Sequence, residues 1–274
     1  MSAHRIAELT APEVASRFAA GAVAILPMGS LETHGPALPM GDYLVAEEIA
    51  CRIAASAYAK GADALVAPAI PFGGEDFFAG VAGGITLSVA TLTAVIEEMA
   101  EAFIKIGTRR IMIVNGHAGT IAPADAAARS MRHRHGVIIP ALHLWREAGK
   151  LHGELGGQPI TFGHGGDPVA SVTMALKPEL CRPEAARPDK APSHPVAVPM
   201  WVEEVAPGGV AAPDPRGANA ATSCSTMRKP WVALAPRGSG AATPPGATSS
   251  THIGTANSTP WARMAPKPVG GTPR

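Results

Sequence analysis

The chain has 274 residues and a formal charge of +1, and it is 46% hydrophobic but only 4% aromatic. That is enough apolar material for one large domain, or a domain with an appendage, with a core of closely packed Ala, Val, Ile and Leu. Basic residues are scattered apart from Arg132-His133-Arg134-His135, which reads as the solvated end of a helix, so neither nucleic acid nor a membrane surface is expected as a partner.

The opening MSAHRIAELTAPE has acids and no apolar stretch of signal-peptide length. The three cysteines, Cys51, Cys181 and Cys224, are too widely spaced for a metal knuckle or a disulfide framework. Together these features predict a cytoplasmic protein. Continuous apolar runs at Ala22–Leu26, Ala64–Ile70, Ile111–Val114 and Val137–Leu142 read as buried strands. Helical spacing appears at Tyr43–Lys60, at Val89–Ile106 (stopped by Gly107), and at Pro123–Arg134. A further helix is expected over Asp167–Leu176, with Pro168 in its first turn. Strands alternating with helices predict an α/β fold, a three-layer α/β/α sandwich around a mainly parallel sheet. The site of such a sheet lies beyond the carboxyl ends of its strands. Two stretches fall there, Gly29–Asp42 after the first strand and Asn115–Gly119 after the third.

In the first stretch Glu32 and His34 stand two residues apart, so in extended backbone both side chains point to one face. Asp42 closes the loop and opens a helix. Glu, neutral His and Asp together suit Zn²⁺, Mn²⁺ or Fe²⁺, although an ordinary polar loop with Asp42 as a helix cap has the same residues. In the second stretch a buried strand runs into Asn115-Gly116-His117-Ala118-Gly119, which exposes His117 at the strand end. A third stretch, Gly163-His164-Gly165-Gly166-Asp167-Pro168, offers His164 as a general acid or base and Asp167 as a ligand or cap. His143 and Trp145, after the fourth strand, are placed to line a pocket. The signatures of zincins, P-loop enzymes, dinucleotide-binding enzymes and serine α/β-hydrolases are absent from the sequence.

At these residues the chain resembles the creatininase (creatinine amidohydrolase) family. The resemblance rests on GSLETHGPALPMGD at Gly29–Asp42, VAGGITL at Val81–Leu87, NGHAGT at Asn115–Thr120 and HGGDPVASVTMALKPEL at His164–Leu180. It implies two divalent metal ions held by Glu32, His34, Asp42 and His117, with the aspartate bridging and His164 assisting proton transfer. The implied reaction is hydrolysis of a C–N bond in a small cyclic or otherwise non-peptide amide, with a metal-bound hydroxide attacking the carbonyl. The implied partners are a small-molecule amide and further copies of the chain in a homo-oligomer. A catalytically impaired binding or scaffold protein, and another metallohydrolase such as a deformylase, are the alternatives. The chain departs from the family pattern in having one residue fewer before Asp42 and Ala37 in place of a histidine. Gly119 and Val169 stand where the family places its last carboxylate ligand, and Asp167 is the nearest substitute, ahead of Glu147 and Glu154.

The composition divides the chain into a catalytic domain over 1–220 and a low-complexity tail over 221–274. Asp214-Pro215-Arg216 still follows the family, whose members continue into an amphipathic helix. After Thr222 the chain has no acid, and prolines at 230, 236, 244, 245, 260, 266 and 268 forbid a long helix. Each costs about 3 kcal/mol in a helix interior. The composition is that of a GC-rich gene read in a shifted frame, and a natural disordered tail is the alternative. On the frameshift reading, another frame of the coding sequence beyond codon 222 specifies the amphipathic helix; sequencing that finds it in no frame contradicts the reading.

Overall fold

The computed structural model describes residues 4–74, 82–154, 164–165 and 168–185. Asp167 and the tail lie outside the described residues. So do 75–81 and 155–163, which include part of each of the two loops, Phe72–Gly80 and Trp145–Phe162, expected to set pocket specificity.

The elements in order are α1 (Ala11–Ala19), β1 (Val23–Met28), α2 (Asp42–Ala59), β2 (Ala64–Val66), β3 (Gly73–Gly74), β4 (Thr86–Leu87), α3 (Val89–Lys105), β5 (Ile111–Asn115), α4 (Ile121–His135), β6 (Ala141–His143), α5 (Leu144–Glu154) and α6 (Val169–Leu176). The main sheet is parallel, with strand order β2-β1-β5-β6. The side chains of β1 alternate between its faces. Ala24, Leu26 and Met28 join the core formed with α3 and α4, whereas Ile25 joins the core formed with α2. The result is the expected α/β/α sandwich, and among the described residues no helix is long and apolar enough to cross a membrane.

Local chemistry accounts for the elements. Thr10 and Glu13 form a capping box at the start of α1, and Phe18 packs edge-to-face on Phe103 at 6.1 Å. The Ser88 hydroxyl caps α3 by accepting from the Thr91 amide at 3.1 Å, and Gly136 ends α4 in a left-handed conformation. Pro27 is tolerated in a central strand because its nitrogen faces the β2 side, where pairing with β1 ends at Ile25 and Val66. The Pro27 carbonyl, on that same side, accepts from Ile70 at 3.0 Å.

Three expectations need correction. The second strand stops at Val66, before Pro68, and Ile70 returns only as an isolated bridge to Met28. The fourth strand covers Ala141–His143 instead of Val137–Leu142. Pro140 has no amide to donate and supplies only its carbonyl, to Ile113 at 2.9 Å. The first part of the loop expected over Trp145–Phe162 is instead helical, within α5, where Leu144 and Ala148 are buried.

The strand order matters for function. The chain leaves β1 to one side for β2, then crosses to the other side for β5. The crevice beyond β1 and β5 is therefore the topological switch point of the sheet, where α/β proteins bind their ligands. There α2 descends onto the strand ends at very close range. A Cβ on Gly29 would lie 2.4 Å from the Tyr43 nitrogen, and one on Gly116 would lie 3.1 Å from the Asp42 carbonyl oxygen. Gly29→Ala is expected to destabilise the protein by on the order of 1–3 kcal/mol or more, since rigid backbone must move. Gly153→Ala, with nothing within 4 Å of the new Cβ, is expected to gain about 0.5–1 kcal/mol. Urea unfolding midpoints check both, and a Gly29→Ala protein as stable as the parent contradicts the packing described.

Candidate metal centre

The loop after β1 is a closed knot of backbone hydrogen bonds. The Glu32 amide donates to Met40 at 2.9 Å and the Asp42 amide donates to Ser30 at 3.1 Å. Glu32 and His34 thereby turn to the same side, as their spacing predicts, and both are buried. Asp42 is the first residue of α2. The cap position belongs to Gly41, so the Asp42 carboxylate is not spent on capping. It points into the crevice, and the loop, though one residue short of the family pattern, brings it fully home. From the other side, the turn after β5 delivers His117.

These four side chains meet. Asp42 Oδ1 lies 3.1 Å from His34 Nε2, and its Oδ2 lies 3.0 Å from His117 Nδ1. Glu32 Oε1 is 2.9 Å from His117 Nδ1 and 3.5 Å from His34 Nε2. Among the described residues, both carboxylates have only histidines as charged partners. His164 closes the group, with Nδ1 3.8 Å from Glu32 Oε1 and its ring stacked on His34 at 5.1 Å. Gly165 lets the His164 turn pass this close, since it has a φ of 68° and a Cβ there would lie 3.0 Å from the His34 carbonyl oxygen.

Backbone carbonyls orient the rings. His34 Nδ1 donates to Pro39 at 3.0 Å, leaving Nε2 for the centre. His164 Nε2 donates to the Thr33 carbonyl, leaving Nδ1 inward. His117 is held through its backbone. Its N–H donates to Asn115 Oδ1 at 2.9 Å, and its carbonyl accepts from Asn115 Nδ2 at 2.9 Å and from the Thr120 hydroxyl at 2.8 Å. The roles of Asn115 and Thr120 were not anticipated; the one sequence signal for them is an amide residue at the end of a buried strand, before Gly-His.

The electrostatics reveal a site built for positive charge. Burial would raise the Glu32 carboxyl, but His117, followed by His164 and His34, outweighs it and holds the group well below the ordinary carboxylate range. Burial likewise opposes a charge on His34, yet Asp42 and then Glu32 push its pKa up to about 10. His164 differs. Burial lowers its pKa, and His34 adds to this against the pull of Glu32. Two buried carboxylates thus hold a proton on His34 where a cation would serve the same purpose. Two donor groups have the compactness of metal sites, Glu32–Asp42–His117 and Glu32–His34–His164. Glu147 and Glu154 are exposed and belong to neither, and Asp167 lies outside the described residues.

Residues 7–229 match the creatininase family, described as creatinine amidohydrolase. Over 199 residues the chain is 31% identical to the mycofactocin precursor peptide peptidase of Mycobacterium tuberculosis, spanning 69% of this chain and 70% of that one. Over 142 residues it is 31% identical to the creatinine amidohydrolase of Pseudomonas putida, spanning 47% of this chain and 52% of that one. A crystal structure of creatinine amidohydrolase superimposes with a TM-score of 0.64 at 24% identity, over 86% of this chain and all of the other. Solved creatininases of the same fold include a Mn form and a mutant of Zn–Zn type. The chain belongs to the creatininase family, whose members are hydrolases.

Proposed function

We propose that the protein is a divalent-metal-dependent amidohydrolase that cleaves an amide C–N bond at a centre held by Glu32, His34, Asp42 and His117. The observation that carries this reading is the division of Asp42, whose two carboxylate oxygens each face a different histidine. One oxygen completes a set with Glu32 and His117; the other faces His34. An aspartate so placed suits a bridge between two neighbouring ions. Carboxylate and imidazole donors fit Zn²⁺ and Mn²⁺ alike. Asp167 stays in the proposal as a further donor, because Gly119 and Val169 have no ligating side chain.

Bound there, the ions would polarise the amide carbonyl and lower the pKa of a coordinated water. The protein's own groups do the rest. Glu32 and Asp42 supply the negative charge that retains the ions. His34, oriented by the Pro39 carbonyl, would give up its proton to serve as a donor to an ion. His164 keeps a depressed pKa and is therefore a neutral acceptor at Nδ1 near neutral pH, held in place by Thr33. It takes a proton at that atom and returns it to the leaving nitrogen.

The substrate proposed is a small cyclic or otherwise non-peptide amide, as for the creatinine amidohydrolase. The longer match to the mycofactocin precursor peptide peptidase, 69% of this chain against 47%, supports a second reading in which the amide is a peptide bond. A screen of lactams, cyclic ureas and short peptides with added Mn²⁺ or Zn²⁺ separates them.

Glu32→Gln, His34→Ala and His117→Ala are each expected to lose metal and activity while remaining folded, with several kcal/mol of transition-state stabilisation removed. His164→Gln is expected to keep its ions and turn over about a hundred- to ten-thousand-fold more slowly. Metal analysis alongside turnover checks both. Full metal content and near-normal rate in any of the first three variants contradicts that residue's role, and loss of metal from His164→Gln makes His164 a ligand instead. A stable wild-type protein that binds no metal would favour a binding protein over an enzyme.

A further inference from the structure

His143, the last residue of β6, and Trp145, in the first turn of α5, have no part in the chemistry above. Both nevertheless grip the turn that carries His117. The Trp145 indole N–H donates to the Gly116 carbonyl, next to the ligand in the chain. His143 Nδ1 lies 3.1 Å from Asn115 Nδ2. The direction of this second bond follows from the backbone of His117. A backbone N–H can only donate and a carbonyl can only accept, so Asn115 must turn Oδ1 toward the His117 nitrogen and Nδ2 toward the His117 oxygen. The Thr120 hydroxyl, 2.5 Å from Asn115 Oδ1 and 2.8 Å from the His117 carbonyl oxygen, shares its single proton between these two acceptors. The remaining N–H of Asn115 then points at His143 Nδ1, which must accept it as a neutral ring. Burial favours that neutral form by depressing the pKa of His143, and Arg146 adds to it while Asp125 and Glu147 oppose it.

We propose that His143 and Trp145 form a clamp that positions His117 as a metal donor, so that a residue pair touching no ion sets the affinity of the Glu32–Asp42–His117 site. The proposal rests on the metal centre proposed above. Without the clamp, Asn115 keeps its bonds to His117 and Thr120 but loses the one that ties its amide to β6, Gly116 loses the bond to its carbonyl, and the imidazole samples positions away from Glu32 and Asp42. Partners of this kind are typically worth about ten- to a hundredfold in metal affinity. His143 and Trp145 are positioning residues.

The test is chelator-competition titration of Co²⁺ or Zn²⁺ into the full-length protein, with the Co²⁺ absorption spectrum as a report on ligand geometry. His143→Ala and Trp145→Phe are each expected to weaken the tighter-bound ion about ten- to a hundredfold and to alter the Co²⁺ spectrum. His143→Asn, which can place an oxygen near the former Nδ1, is expected to recover most of the affinity and the parental spectrum. His117→Ala sets the limit of complete loss of the site. A His143→Ala or Trp145→Phe protein with parental affinity and spectrum overturns the clamp. So does a His143→Asn protein as impaired as His143→Ala, since only bulk packing would then be at issue. Should His143→Ala fail to fold, Trp145→Phe and His143→Asn decide the matter by themselves. A wild-type protein that binds neither ion overturns the centre itself, a result distinct from a centre that binds but ignores His143.

Discussion

The site depends on how closely the first turn of α2 approaches the ends of β1 and β5. Gly29 leaves no room for a side chain between strand and helix, Gly116 leaves very little, and Asp42 rides on that turn. A helix set further from the sheet would carry Asp42 away from the crevice, and neither of its oxygens would reach a histidine. The sheet order contributes the other half. Because β5 lies directly beside β1 although the chain visits β2 first, the loop bearing Glu32 and His34 and the turn bearing His117 open at one switch point.

Placing two carboxylates in that crevice has a large desolvation cost, and the surroundings show how it is offset. Glu32 and Asp42 face histidines, and those histidines are fixed by carbonyls of Pro39 and Thr33 or by the amide of Asn115. Among the described residues, no buried side-chain nitrogen or oxygen is without a hydrogen-bond partner. The polar network is closed around the centre, leaving the charge of the carboxylates themselves to be matched by protons on histidine or by metal. This is why His34 carries so high a pKa, and why the same residues suit divalent ions.

Much of this was legible in the sequence because it depends on short-range regularities. The two-residue spacing of Glu32 and His34 places them together in extended chain, and apolar runs followed by glycine mark the ends of β1 and β5. What was not legible depends on contacts across the sheet. That Asn115 serves His117, and that His143 and Trp145 serve Asn115 and Gly116, follows only once β6 lies beside β5. Helix α5 was obscured for a local reason. Gly149 and Gly153 lower its helix propensity and mask the apolar positions Leu144, Ala148 and Leu151. The second and fourth strands were read too long because their apolar runs continue through prolines that end regular pairing.

On the proposed reading, the carboxylate of Asp42 would face one ion on the side of Glu32 and His117 and a second on the side of His34. Anomalous diffraction from crystals of the protein loaded with Zn²⁺ or Mn²⁺ tests it most directly. The account predicts two anomalous peaks, one against each oxygen of Asp42, with Glu32 and His117 around the first and His34 beside the second. A metal-loaded crystal with no peak at Asp42, or with ions held by other residues, would contradict it.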